Sequence, residues 1–137
     1  MGLILDSSIV IAAERSGDTV EQLITTSSIL QGIRKQHFPR FGLTELIHGI
    51  YRAQTPEIQR RRKFFIDELL LDLAVYLYTR ETAFLAGRID GEQQSRGVVI
   101  PFSDLLIGAT ALSLGYKVLT ANIRDFQRIP NLSVIQF

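Results

Sequence analysis

Short runs of β-compatible apolar residues recur along this chain, and stretches with helical patterning lie between them. Leu3-Ile4-Leu5, Phe38 to Phe41, Leu73 to Leu77, Lys117 to Thr120 and Ser133 to Gln136 read as strands. Pro39 blurs the limits of the second run, because proline cannot donate to a ladder. Ile9 to Ala13 suits a short buried helix that Gly17-Asp18 breaks. Thr19 caps a helix expected to turn Val20, Leu23, Ile24, Ile29, Leu30 and Ile33 inward. Thr44 caps the next, with Leu46, Ile47, Ile50 and Tyr51 as its apolar stripe. Thr55-Pro56-Glu57 is a cap, a first-turn proline and an acid at the positive dipole end, opening a helix that buries Phe65 and Leu69. Thr79 with Glu81 opens another, whose small Ala83, Ala86 and Gly87 permit close packing. Pro101 with Ser103-Asp104 starts a helix buried through Leu105, Ile107, Ala109, Leu112 and Leu114, and Gly115 closes it. This alternation predicts parallel βαβ units, and so an α/β fold: a three-layer α/β/α sandwich on a mainly parallel sheet of four to five strands.

A length of 137 residues fits one domain with one substantial core, and an apolar share of 46% expects a packed globule. The absence of cysteine removes disulfides, thiolate zinc sites and a cysteine nucleophile together. No apolar run approaches the roughly 18 residues of a membrane span. The start, Met1 to Asp6, has no basic flank and reaches an acid at once, so it reads as a first strand and not a signal peptide. The expectation is a cytoplasmic protein without a membrane partner.

Ligands of parallel α/β sheets bind beyond the carboxyl ends of the strands. Four carboxylates stand where an apolar segment meets a helix or turn: Asp6, Glu45, Asp104 and Asp125. Such acids can converge in space, and a cluster of them is costly unless a cation neutralises it. Glu45 and Asp104 read as helix-start residues, each followed four positions on by a glycine, Gly49 and Gly108. A glycine there leaves room for a metal, water or phosphate, or lets another backbone come close. Plainer roles stand beside these. An acid in a first turn opposes the macrodipole. Asp6 can cap a helix, although Ser7 or Ser8 can do so as well. Asp125 can be a turn residue, and Thr120 and Asn122 either orient a carboxylate or satisfy turn backbone. Hard oxygen donors without cysteine favour Mg²⁺ or Mn²⁺ over zinc. His37 and His48 sit in no metal motif, and no phosphate-binding glycine loop, Gly-x-Ser-x-Gly or dinucleotide fingerprint is present.

A formal net charge of +1 says little, but the distribution is uneven. From Arg34 to Lys63 there are eight Lys or Arg and two acids, while the rest of the chain holds seven bases and twelve acids. A basic middle could guide a polyanion towards a metal-charged acidic site, or could be a solvated helix face. Arg60, Arg61, Arg62 and Lys63 span a full helical turn, so they cannot all face one way.

The motifs, in order, are Leu3-Ile4-Leu5-Asp6-Ser7-Ser8, Leu43-Thr44-Glu45-Leu46 with Gly49, Ile100 to Ala109 around Ser103-Asp104, and Leu119 to Phe126 followed by Ile129-Pro130-Asn131-Leu132. With them the chain resembles PIN-domain ribonucleases of the VapC type, toxins of type II toxin–antitoxin pairs. The resemblance covers essentially all of residues 1–137 and implies a single PIN domain. It implies a Mg²⁺-dependent endoribonuclease, Mn²⁺ being an alternative ion, that hydrolyses RNA phosphodiesters with an activated water. It implies that Asp6 and Asp104 bind the metal and that Glu45 completes the catalytic triad. Asp125 is the candidate fourth acid, since Asn122 stands where many members carry Asp. Ser7, Thr120 and Asn122 would form the supporting polar shell. A cognate antitoxin and a homodimer are also implied, and with RNA as substrate about two of Arg60, Arg61, Arg62 and Lys63 would contact its phosphates while the others are solvated. Two rival readings are a non-catalytic PIN-like module that binds RNA or protein, and a phosphoacceptor domain. The second expects a paired acid after the first strand and a late lysine, where this chain has Ser7-Ser8 and Arg124.

Overall fold

A computed structural model describes the backbone of residues 2–31 and 35–137, and the side chains of 2–26, 43–73 and 75–137. The strands are β1 (Gly2–Leu5), β2 (Lys35–Pro39), β3 (Ala74–Tyr76), β4 (Lys117–Thr120) and β5 (Val134–Gln136). The helices are α1 (Ser7–Arg15), α2 (Val20–Gln31), α3 (Arg40–Tyr51), α4 (Pro56–Asp72), α5 (Arg80–Gln94), α6 (Phe102–Leu114) and α7 (Ile123–Phe126). The strands form one sheet in the order β3-β2-β1-β4-β5, and every neighbouring pair is parallel.

The pleat of β1 shows how the layers arise. Leu3 and Leu5 pack into a cluster with Ile9, Val10, Leu46, Phe65 and Leu69, whereas Ile4 joins Ile89, Leu105, Ile107 and Phe126. Successive side chains of a strand face opposite ways, so one short apolar run serves both cores. Helices α1 to α4 cover one face and α5 to α7 the other, giving the expected three-layer sandwich. Among the described residues no helix is long and apolar enough to cross a membrane.

Several helix starts follow their sequence signals. Thr55 accepts from Ile58 N at 3.2 Å with Pro56 in the first turn, and Thr79 accepts from Thr82 N at 3.2 Å. Thr19 and Gln22 form a reciprocal capping box, with bonds of 3.1 and 2.8 Å. Gly115 closes α6 at φ 69°.

The region around Pro39 departs from expectation. The second strand ends at Pro39 instead of running to Phe41, and α3 begins at once with Arg40, so Thr44 is not its cap. Pro39 is the last residue in register with β3, and a proline has no N–H with which to extend the ladder. The inward stripe of α3 is accordingly Leu43, Leu46 and Ile50, while Ile47 and Tyr51 are exposed. On α5 only Ala86 of the three small residues is buried. Ile33 and the side chains of Ile29, Leu30 and His37 lie outside the described residues.

Candidate active site

The sheet order places β1 beside β4, with the chain continuing from β1 towards β2 on one side and from β4 towards β5 on the other. That reversal opens a crevice at the carboxyl ends of β1 and β4. Asp6 lies immediately beyond β1, and its backbone N donates to Leu119 O at 3.0 Å, so the β1–β4 ladder itself fixes its height. Its side chain is only 4% exposed. Although Asp6 holds the N-cap position of α1, its side chain makes no capping bond. Ser8 Oγ donates to Asp6 Oδ2 at 2.7 Å, and Thr120 Oγ1 donates to the same oxygen at 2.9 Å. A carboxylate that accepts two donors on one oxygen is oriented by them, and its other oxygen is left to face a ligand.

The two hydroxyls are themselves held. Ala121 N donates to Ser8 Oγ at 3.1 Å, and Asn122 N donates to Thr120 Oγ1 at 2.9 Å. Thr120 therefore ties the β4 exit to Asp6. Ser8 is the functional residue that sequence reasoning passed over as a possible cap. Its signal was present: it stands two residues after Asp6, a spacing at which a serine hydroxyl can reach an acid by a local bond.

Ser7 Oγ donates to Glu45 Oε2, joining α1 to α3. Glu45 sits in the second turn of α3 and not at its start, because the helix begins at Arg40. Its placement therefore owes nothing to the macrodipole, which acts on the first turn. Asp104 stands in the first turn of α6, half-buried. Burial pushes its pKa up to about 7, and the negative charges of Asp6, Asp125 and Glu45 push in the same direction. Asp104 therefore feels the charge of each of the other three sequence-predicted acids.

Asp125 accepts from Asn122 Nδ2 at 2.9 Å and lies 3.7 Å from Arg128 Nη1. Asn122 thus orients Asp125, and Arg128, which the sequence reading did not single out, offsets part of its charge. Arg128 is anchored by a 2.7 Å bond from Nη1 to Val99 O.

The two glycines have different roles. A Cβ on Gly108 would stand 2.3 Å from Ile129 Cδ1, so this glycine admits the Ile129 side chain and leaves no room for a metal or phosphate. A Cβ on Gly49 would meet nothing within 4 Å. Gly49 borders a cleft of about 70 Å³ together with Glu45, Val10, Phe65, Glu14 and Arg62.

Two of the four basic residues proposed to track RNA are engaged elsewhere. Arg61 Nε donates to the buried Glu14 at 2.9 Å, and Arg62 Nη1 donates to Gly49 O at 2.8 Å. Arg60 faces Glu57 at 3.7 Å on an exposed surface, and Lys63 is exposed.

The donor set fits a divalent cation. Asp104, opposed by the charges of three other acids, offers a hard carboxylate oxygen, and a cation is the ordinary remedy for such a surplus. Among the described residues no three His, Asp or Glu side chains are grouped closely enough to hold a metal ion between them. A small, strongly hydrated ion such as Mg²⁺ retains several waters and takes only one or two carboxylates, so a pair of acids suffices for it.

The PIN domain family model matches residues 3–132. The chain is similar to Ribonuclease VapC of Rickettsia bellii, 33% identical over 135 residues that cover 98% of this chain and 96% of that one. It is likewise similar to Ribonuclease VapC1 of Rickettsia felis, 30% identical with the same coverage. In three dimensions it resembles VapBC2 from Rickettsia felis, solved bound to a DNA fragment from their promoter. The TM-score is 0.86 at 23% identity, covering 100% of this chain and 99% of that one.

Proposed function

This chain belongs to the PIN-domain family, in its VapC branch, and from that premise we propose that it is a divalent-metal-dependent endoribonuclease, the toxin of a toxin–antitoxin pair. The observation that carries the reading is the charge surplus at Asp104, whose carboxyl is raised by burial and by three neighbouring acids. Surplus negative charge at a sheet's switch point is poorly suited to binding a polyanion directly. It suits binding one through a cation, which disfavours a non-catalytic RNA-binding module.

Asp6 and Asp104 would hold Mg²⁺ or Mn²⁺. When bound, such an ion makes water more acidic and offsets charge developing on a phosphodiester. Ser8 and Thr120 hold the Asp6 carboxylate in one orientation, which limits the entropy lost when a ligand arrives. Ser7 fixes the Glu45 carboxylate, which then serves as the acceptor that orients the attacking water or takes its proton. Asn122 presents Asp125 to the same place from the β4 side. Phosphodiester hydrolysis would leave a 5′-phosphate and a 3′-hydroxyl.

RNA is the substrate in this reading, and both Rickettsia relatives are named as ribonucleases. A cognate antitoxin protein is the expected partner, and a homodimer the expected assembly. The test is a metal titration of RNA cleavage by the purified chain. Activity that is absent in EDTA, restored by Mg²⁺ or Mn²⁺, and lost in Asp6→Asn supports the proposal. Cleavage that persists in EDTA would refute it.

A further inference from the structure

We infer that Arg62 is a positioning residue for the active site: it fixes α3 against α1 and so holds Glu45 where Ser7 receives it. This rests on the assignment of Glu45 to the site given above. The starting point is the end of α3, where the last carbonyls have no partner in the next turn. His48 O accepts from Arg52 N at 3.0 Å, and Ile50 O accepts from Ala53 N at 3.2 Å. Gly49 O takes the Arg62 guanidinium instead, at 2.8 Å. A cation at this end also suits the negative pole of the helix.

The same guanidinium reaches α1. Arg62 Nε lies 3.9 Å from Glu14 Oε2, and Arg61 Nε donates to Glu14 Oε1 at 2.9 Å. Glu14 is 8% exposed and Arg62 25% exposed, so this contact is largely shielded from solvent. Ser7 and Glu14 are seven residues apart on α1, and Glu45 and Gly49 are four apart on α3. Each spacing keeps both residues on one helix face. The two helices are therefore tied at two points along one seam. One tie is Ser7 to Glu45, and the other passes from Glu14 through Arg62 to Gly49.

The fork of the guanidinium matters here. Its Nε and Nη1 serve different helices at once, which a lysine's single ammonium cannot do in the same geometry. Arg62 is poorly placed to meet a phosphate, because Nη1 is bonded to Gly49 O and Nε faces Glu14 within the chain. The basic run from Arg60 to Lys63 thus has an architectural member.

The experiment measures cleavage of a short mixed-sequence RNA, carrying a fluorophore and a quencher, by the full chain with saturating Mg²⁺. The variants are Arg62→Met, Arg62→Lys and the double Glu14→Leu with Arg62→Met. The double variant removes both charges, so the fold keeps no unpaired buried carboxylate. Displacement of a reacting group by about 1 Å costs on the order of 100-fold. The expected result is a kcat fall of about 10- to 100-fold in each folded variant, with KM and its salt slope unchanged. Adding Ser7→Ala should cost little more, because both changes release the same carboxylate. A kcat near that of the unaltered chain in a folded variant overturns the inference. So does a raised KM with a shallower salt slope, which marks a phosphate contact, or strict additivity with Ser7→Ala. Glu45→Gln separates the two levels: full activity in that variant sinks the Glu45 assignment itself. An inactive Glu45→Gln beside a fully active Arg62→Met sinks only the positioning role.

Discussion

Asp104→Asn is expected to stabilise the metal-free protein above neutral pH while it removes cleavage. The carboxyl of Asp104 is raised from 3.8 to about 7 by burial and by Asp6, Asp125 and Glu45. A folded-state pKa above the unfolded value means that the native state holds the proton more tightly. The contribution to stability is therefore complete below about pH 4, declines as pH rises, and is lost above about pH 7. At about 1.4 kcal/mol per pKa unit the full difference would be about 4–5 kcal/mol. Asp104 is only half-buried, so solvent and salt screening reduce this to about 1–2 kcal/mol. Asparagine keeps the shape without the charge. Urea unfolding in EDTA at pH 5 and pH 8 measures the effect. The unaltered chain should lose about 1–2 kcal/mol more than Asp104→Asn between the two pH values. Mg²⁺ should return that stability at pH 8 to the unaltered chain and much less to the variant. Identical pH slopes in the two proteins, or a variant less stable at pH 8, would refute the reasoning.

Other perturbations probe the supports of the site. Thr120→Val removes a donor to Asp6 and an acceptor for Asn122 N in a fully buried place. It should weaken the Mg²⁺ requirement curve or activity by about 10- to 100-fold, read by metal titration of cleavage. Gly108→Ala should destabilise by about 1–3 kcal/mol in thermal or urea unfolding, because its Cβ meets Ile129 Cδ1 at 2.3 Å. Adding Ile129→Val, which removes that atom, should recover part of the loss.

How much of this was readable in the residues varies by element. The helix caps at Thr19, Thr55 and Thr79 act through partners three residues away, so local sequence carries them. The same holds for the left-handed turn at Gly115. Asp6 was readable because a strand that ends in an acid is a local pattern, and the alternation of elements implied a crevice beyond the strand ends. The start of α3 was hidden, because the apolar residues around Pro39 are consistent with either a strand or a helix. Only pairing with β1 and β3 decides where the ladder stops. Ser8, Arg62 and Gly108 were missed or misread for a shared reason. Their partners are Asp6 with Ala121, Glu14 with Gly49, and Ile129, and most of these are distant in sequence. Spacing along the chain cannot report a contact across 113 residues, as between Ser8 and Ala121. The basic run shows the opposite error: composition suggested solvated or RNA-facing cations, while Glu14 engages Arg61, which stays mostly exposed, and Arg62, which is largely shielded.

The central claim is that the acids gathered around Asp104 cleave RNA. Mapping RNA 5′ ends in cells after induced expression of the unaltered chain and of Asp6→Ala tests it most directly. The account predicts growth arrest and a discrete set of new 5′-phosphate ends with the unaltered chain, and neither with Asp6→Ala. The same new ends from both proteins, or none from an unaltered chain that is folded and free of its antitoxin, would contradict it.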